Sequence, residues 1–345
     1  MWIPILMLAV GFILLIKGGD WFVDGASGIA RRLHLPEILI GATVVSIGTT
    51  LPEVMVSAGA AVQGSGSIAY GNAIGSIICN TALIAALTIA IKPSKAARKS
   101  LVLPVAFFFG AAAIYCLASY VFGTFSRLTG IILLALFVVY MVSTVLRMKK
   151  SSDAGRTVPQ DNAEETEAAL ESISGEDHTV ESEAKGTKDS LLKDIVLLVL
   201  GAVLIAFGAD FLVDNAILIA EKCGVSEKVI GLTIVALGTS LPELVTAVTS
   251  LIKGHGSLSL GNIIGANLFN LVLVSGAAIT INPFDVPVAG YIGGINSSLV
   301  LDIPVMMAVM LILTVPTLIK EKLSRWQGLL MLGIYAAFCT LQFII

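Results

Sequence analysis

Along this chain, apolar runs alternate with short polar connections, and each run is about the 20 residues a helix needs to cross roughly 30 Å of hydrocarbon. Ten such runs lie near 3–29, 36–62, 67–91, 101–121, 129–147, 191–219, 227–252, 257–281, 298–319 and 326–345. Backbone N–H and C=O groups find no water at that depth, so runs of this kind fold as helices. The pattern predicts an all-α integral membrane protein with ten transmembrane helices. One stretch, 151–190, carries no such run and divides the chain into an N-terminal five-helix unit (1–150), a linker (151–190) and a C-terminal five-helix unit (191–345).

The two units are related. Gly41 to Asn80 aligns without a gap on Gly231 to Asn270 at a constant offset of 190, and about two in five positions are identical. The first copy contains Gly41-Ala-Thr-Val-Val-Ser-Ile-Gly-Thr-Thr-Leu-Pro-Glu53 and Gly71-Asn-Ala-Ile-Gly-Ser-Ile-Ile-Cys-Asn80. The second contains Gly231-Leu-Thr-Ile-Val-Ala-Leu-Gly-Thr-Ser-Leu-Pro-Glu243 and Gly261-Asn-Ile-Ile-Gly-Ala-Asn-Leu-Phe-Asn270. Most of the identities fall on Gly, Thr, Pro, Glu and Asn, as expected of paired half-sites. Asp20 and Asp24 match Asp210 and Asp214 at the same offset, near helix ends where hydration or capping suffices. Five crossings per unit place the sixth helix opposite in direction to the first, so the duplication becomes an inverted one.

Composition agrees with this picture: 56% of residues are hydrophobic, 13% charged and the mean hydropathy is +0.94, far from a soluble domain. The bilayer is the expected surrounding, with no nucleic acid and no obligate protein partner. The first run has no basic leader and no small-residue cleavage site, and reads as a retained helix. Cys79, Cys116, Cys223 and Cys339 stand singly and read as small apolar residues. The linker holds 11 of the 24 acids and 3 of the 21 bases, too little apolar area to offset its ordering entropy, and is expected to be a disordered tether. Elsewhere the basic residues Arg31, Arg32, Lys92, Lys95, Arg98, Lys99, Arg147, Lys149, Lys150, Lys253, Lys320, Lys322 and Arg325 gather in connections on one side. The positive-inside rule makes that side cytoplasmic, with both chain ends outside a cytoplasmic membrane and the linker inside.

A carboxylate inside hydrocarbon costs about 2.5–3.5 kcal/mol on insertion scales, which marks Glu53 and Glu243 as functional. Thr49 with Glu53, and Thr239 with Glu243, are four apart and share a helical face. Pro52 and Pro242 cannot donate to the carbonyls near Gly48 and Gly238, so each helix is expected to break or kink there and free carbonyls for ligation. In the next helix Asn72, Ser76 and Asn80 form a polar strip, against Asn262, Ala266 and Asn270 in the second copy. Carboxylate, hydroxyl, amide and carbonyl oxygens without neighbouring His or Cys suit Ca²⁺ or Na⁺. Inversion brings the two glutamates together near the midplane, where a joint charge of −2 matches one Ca²⁺ or two Na⁺.

At these segments, Gly48-Thr-Thr-Leu-Pro-Glu53 with Gly71-Asn-Ala-Ile-Gly-Ser76 and Gly238-Thr-Ser-Leu-Pro-Glu243 with Gly261-Asn-Ile-Ile-Gly265, the sequence resembles the Ca²⁺:cation antiporter family, specifically its sodium/calcium exchanger branch. The resemblance implies two inverted five-helix repeats, with ions held by the second, third, seventh and eighth helices and access alternated by sliding of the first and sixth. It implies that Glu53 and Glu243 are shared carboxylates for Ca²⁺ and Na⁺ and that the Thr49 and Thr239 carbonyls complete the Ca²⁺ site. Thr50, Ser76, Asn80, Ser240 and Asn270 match the other polar ligands, and Ser46 and Ala236 match positions that contribute carbonyls. Two positions depart from the pattern, Ala266 where relatives often have Ser and Asn270 where several carry Asp.

The expected function is therefore Na⁺/Ca²⁺ antiport by alternating access, normally extruding Ca²⁺, with no catalytic residue and no cofactor beyond the transported ions. A Ca²⁺/H⁺ or K⁺-coupled exchanger on the same scaffold is the alternative. An intramembrane aspartyl protease built on Asp20 and Asp210 leaves Glu53 and Glu243 without a role. A channel fits poorly with paired irregular helices around a charged centre.

Overall fold

The structure, a computed structural model, describes residues 2–33, 35–156, 187–222, 238 and 240–344. It is all-α apart from two pairs of two-residue strands. The helices are α1 (Trp2–Arg32), α2 (Glu37–Val62), α3 (Gly66–Ile91), α4 (Arg98–Phe122), α5 (Arg127–Arg156), α6 (Thr187–Lys222), α7 (Leu241–Ile252), α8 (Gly256–Ile281), α9 (Ser298–Lys320) and α10 (Arg325–Ile344). All but α7 and α10 are long and apolar enough to cross a membrane, eight among the described residues where ten spans are expected. The run expected at 227–252 is described only in part. α5 reaches Arg156 and α6 begins at Thr187, so both ends of the expected tether are helical; its remainder, 157–186, lies outside the described residues.

Burial sorts the helices by role. In α2, α3 and α8, which carry the repeated segments, 61, 72 and 83% of the apolar window is enclosed, against 22–28% for α1, α5 and α6. The peripheral helices present Ile3, Leu6, Ile13, Ile131, Val138 and Val199 outward, as a lipid-facing surface must. The repeats thus form the centre and the remaining helices enclose it.

The irregular turns fall elsewhere than the prolines suggest. α2 runs as regular helix from Ser46 to Val62 with Pro52 inside it, and its one distortion is a widened, π-type turn at Gly41–Val45. The freed carbonyls have partners: the Ser46 hydroxyl donates to Gly41 O (2.7 Å) and the Tyr140 hydroxyl to Ala42 O (2.9 Å). One missing N–H at Pro52 is therefore tolerated without a break, while the close approach of α8 to Gly41 selects the site of distortion. In the second copy Ser240 is in a turn and α7 starts at Leu241 with Pro242 in its first turn, where a proline costs no hydrogen bond. Matched π turns also begin at Asn80 and at Asn270. Asp302 sits inside α9, and the Gln342 amide donates to its Oδ1 (2.6 Å).

α1 and α6 pack together along a ladder of glycines. Gly11, Gly18 and Gly25, seven residues apart on α1, meet the backbone of Gly208, Gly201 and Asp194–Leu198 in that order on α6, so the two helices run antiparallel. A side chain at any rung would press on backbone, which cannot yield. Beyond the ladder, His255 Nδ1 hydrogen-bonds with Glu37 Oε1 (2.7 Å), and two bases form ion pairs, Arg32 with Asp194 and Lys253 with Asp24 (2.8 Å) and Asp20 (3.4 Å). All these ion pairs lie at the end of the bundle that carries the basic connections. At the other end, β1 (Thr124–Phe125) pairs antiparallel with β2 (Phe284–Asp285), and β3 (Tyr291–Ile292) with β4 (Ile295–Asn296).

Because an added Cβ at Gly25 would lie 2.5 Å from Asp194 O and Leu198 N, Gly25→Val should destabilise the protein by about 1–3 kcal/mol. The check is the melting temperature in detergent, which falls by several degrees; an unchanged value would show that the ladder is not close-packed.

Candidate ion-binding site

The Pro-Glu turns of α2 and α7 and the asparagine turns of α3 and α8 meet at the centre of the bundle. Glu53, Thr50, Asn80, Glu243 and Asn270 are all 0% exposed and Ser240 is 1% exposed. Among the described residues, none of their side-chain oxygens, nor the Asn80 and Asn270 amide nitrogens, has a hydrogen-bond partner. Native proteins leave few such groups unsatisfied, because each costs about 1–3 kcal/mol and a charged one more. Here six residues are left so together, three from each half. Glu53 and Glu243 are close enough for their charges to interact.

The sequence-predicted residues divide into three groups. Glu53, Glu243, Thr50, Ser240, Asn80 and Asn270 form this unpartnered set. Ser46, Thr49 and Ser76 are buried in the same region, but Ser46 and Thr49 are engaged: the Thr49 hydroxyl donates to Asn262 Oδ1 (3.2 Å), and the Ser46 hydroxyl lies 3.0 Å from Asn262 O and 3.3 Å from Asn262 Oδ1. Ala236 and Thr239 lie outside the described residues.

Two asparagines of the polar strips, Asn72 and Asn262, are not among the predicted ligands, yet both bond to the α2 segment that carries Glu53. The Asn72 amide donates to Glu53 O (3.1 Å) and to Ser57 Oγ (2.8 Å). Their positions eight residues before Asn80 and Asn270 put them on the ligand face, and that spacing was the available signal. Thr246 and Ser250, also fully buried without partners, continue the face of Glu243 along α7. They had no sequence signal, since Val56 and Ala60 hold the matching places in the first copy.

Side chains from α8 are brought this close by glycine. Gly261 lies against Ile38 backbone and Gly265 against Ala42 and Ser46, so α2 and α8 touch main chain to main chain across the two halves. A narrow crevice lined by Phe22, Ile205, Ala206, Thr49, Pro52 and Pro242 lies between the α1–α6 pair and both Pro-Glu turns, beside a contact of Gly48 with the Phe22 ring. Among the described residues no three His, Cys, Asp or Glu side chains cluster. The donor set is two carboxylates supplemented by neutral oxygens, suited to a hard cation of charge +1 or +2.

Comparison with known proteins identifies a family over most of the chain. The family model described as sodium/calcium exchanger protein matches residues 3–146 and 193–344. The sodium/calcium exchanger MaX1 of Methanosarcina acetivorans is 32% identical over 362 residues, covering 99% of this chain and 98% of its own. An uncharacterized membrane protein of Methanocaldococcus jannaschii is 34% identical over 335 residues, covering 94% and 93%. A solved structure of the sodium-calcium exchanger NCX_Mj, soaked with Na⁺ and Sr²⁺, superposes with a TM-score of 0.75 at 31% identity over 97% of both chains.

In chelator at a pH where both carboxylates are ionised, Glu53→Gln should melt higher than the parent chain by roughly a few degrees, because it removes one of two unpartnered like charges. Differential scanning fluorimetry checks this; a lower melting temperature would show that the carboxylates are satisfied within the fold.

Proposed function

The chain belongs to the sodium/calcium exchanger protein family, and from that premise we propose that this membrane cation antiporter exchanges Na⁺ for Ca²⁺ across the cytoplasmic membrane, normally extruding Ca²⁺. The observation that carries the reading is the set of unpartnered buried oxygens from Thr50, Glu53, Asn80, Ser240, Glu243 and Asn270. A Ca²⁺ ion bound by Glu53 and Glu243, with the Thr49 and Thr239 carbonyls completing its shell, cancels their joint charge. Two Na⁺ ions spread over the same carboxylates, with Thr50, Ser76, Asn80, Ser240 and Asn270 as neutral ligands and the Ser46 and Ala236 carbonyls in support, cancel it equally.

Exchange follows from this competition. A bare pair of carboxylates resists being carried through an apolar constriction, whereas a pair neutralised by either load passes. The carrier therefore changes its open side only when loaded, which couples the two fluxes. The antiparallel α1–α6 pair, locked backbone to backbone and bordered by a crevice beside the Pro-Glu turns, suits a rigid element sliding across the site. That motion belongs to a fold of ten spans in two inverted five-helix repeats. The basic connections place Lys253 and Arg32 in the cytoplasm and the chain ends outside. Ala266 removes a hydroxyl from the second strip, so the two ends of the site hold Na⁺ unequally.

In proteoliposomes, an outward Na⁺ gradient should drive ⁴⁵Ca²⁺ uptake that Glu53→Gln or Glu243→Gln abolishes. Unchanged exchange in both variants would sink the assignment. With Na⁺, K⁺ and pH gradients imposed separately, Na⁺ alone should support flux; uptake driven by K⁺ or protons instead would overturn the coupling.

A further inference from the structure

Four buried threonines donate their hydroxyl to a carbonyl of their own helix, although buried Thr81 instead donates to Met310 Sδ. Thr43 donates to Leu39 O (2.7 Å), Thr144 to Tyr140 O (2.9 Å), Thr314 to Met310 O (2.6 Å) and Thr317 to Leu313 O (2.5 Å), each four residues back. Thr49 does otherwise: it donates across the molecule, from α2 to Asn262 Oδ1 on α8. Ser46, one turn earlier on the same face, also meets Asn262. Asn262 is fully buried, its Oδ1 accepts from Thr49, and among the described residues its amide nitrogen has no partner.

The repeat-related asparagine is used differently. Asn72, at the same place in the first copy, is turned as a donor to Glu53 O and Ser57 Oγ on α2, within its own half. Two sequence differences account for the divergence. Ser57 is matched by Ala247, so the hydroxyl that Asn72 meets has no counterpart at the matching position of α7, and Ser46 is matched by Ala236, so α2 alone carries a hydroxyl at that position. Asn262 consequently reaches into the other half. The contact is fixed at main-chain level, because α8 approaches Gly41 so closely that an added Cβ there would lie 2.8 Å from the Asn262 nitrogen.

We propose that Asn262 is a positioning residue for Ca²⁺: by taking the Thr49 hydroxyl proton it holds the Ser46–Thr49 turn of α2 with its oxygens toward the Glu53–Glu243 pair. This rests on the exchanger reading, in which Thr49 supplies a ligand. A hydroxyl has a single proton, so the bond to Asn262 leaves the Thr49 oxygen's lone pairs free and stops the side chain from rotating back onto its helix. A fixed turn serves Ca²⁺ more than Na⁺, since Na⁺ ions have other neutral ligands in both halves and Ca²⁺ depends on the Thr49 carbonyl.

The test is a double-mutant cycle on Na⁺-driven ⁴⁵Ca²⁺ uptake with Thr49→Val, Asn262→Leu and the pair combined, Glu53→Gln being run alongside. Asn262→Leu should raise KM for Ca²⁺ by about fivefold or more, with the Na⁺ half-saturation moved less than about twofold. Maximal rate per folded carrier should hold. The double variant should be no worse than Asn262→Leu alone, because both substitutions break one bond. Asn262→Ser, too short to reach α2, should give the same rise and serves where the leucine variant does not fold. An unchanged KM, an additive cycle, or a loss confined to maximal rate overturns the positioning role. Retained exchange in Glu53→Gln instead overturns the exchanger reading, whatever the cycle shows.

Discussion

Two carboxylates that pair with no Lys or Arg among the described residues, Glu53 and Glu243, are enclosed among helices whose outer faces are apolar. An uncompensated buried charge costs several kcal/mol, and a fold can answer it with a permanent counter-ion or with oxygens that leave the charge open. This fold does the second. Every Lys or Arg that pairs with an acid among the described residues does so at one end of the bundle, away from the glutamates. What surrounds Glu53 and Glu243 is hydroxyl and amide, which can share a hard cation without replacing it. Under the proposed function, the centre is completed by an ion small enough to leave again.

That requirement explains where the backbone is irregular and where it is small. Widened turns at Asn80 and Asn270 put an amide at the start of each distortion in matching places, and such turns recur at functional positions in helices. Glycine is used at two kinds of contact. Between α1 and α6 it allows a continuous backbone seam, which makes the pair one rigid body. Between α2 and α8 it lets side chains of one half reach the ligands of the other, through Gly261 and Gly265. The first contact suits motion as a unit, and the second suits a site that must keep its geometry.

Much of this was legible in the sequence. The apolar runs gave the helices, since spanning segments have no other way to satisfy their backbone. The duplicated Gly-Thr-Thr/Ser-Leu-Pro-Glu passages gave the carboxylates, because a charge is too costly at that depth to persist without a role in binding or transport. The site of distortion in α2 was not legible. Pro52 marked the wrong turn, for a proline removes one local hydrogen bond, whereas the turn at Gly41–Val45 depends on Tyr140 from α5 and on the approach of α8. The ion pairs of Asp20 and Asp24 with Lys253 were equally hidden, joining residues more than 200 positions apart.

The sequence by itself determined the membrane setting, the all-helical class, the duplicated polar face and the hard-oxygen chemistry of the centre. These follow from one-dimensional patterns: hydropathy period, helical spacing and repeat offset. Only the tertiary structure decided which oxygens are free and which are occupied. Asn72 and Asn262 stand at the same place in their repeats, yet one donates within its half and the other accepts across the molecule. The reason is physical. A hydrogen bond is settled by the partner that packing brings within about 3 Å, and at the contact of α2 with α8 that partner comes from the other half of the chain.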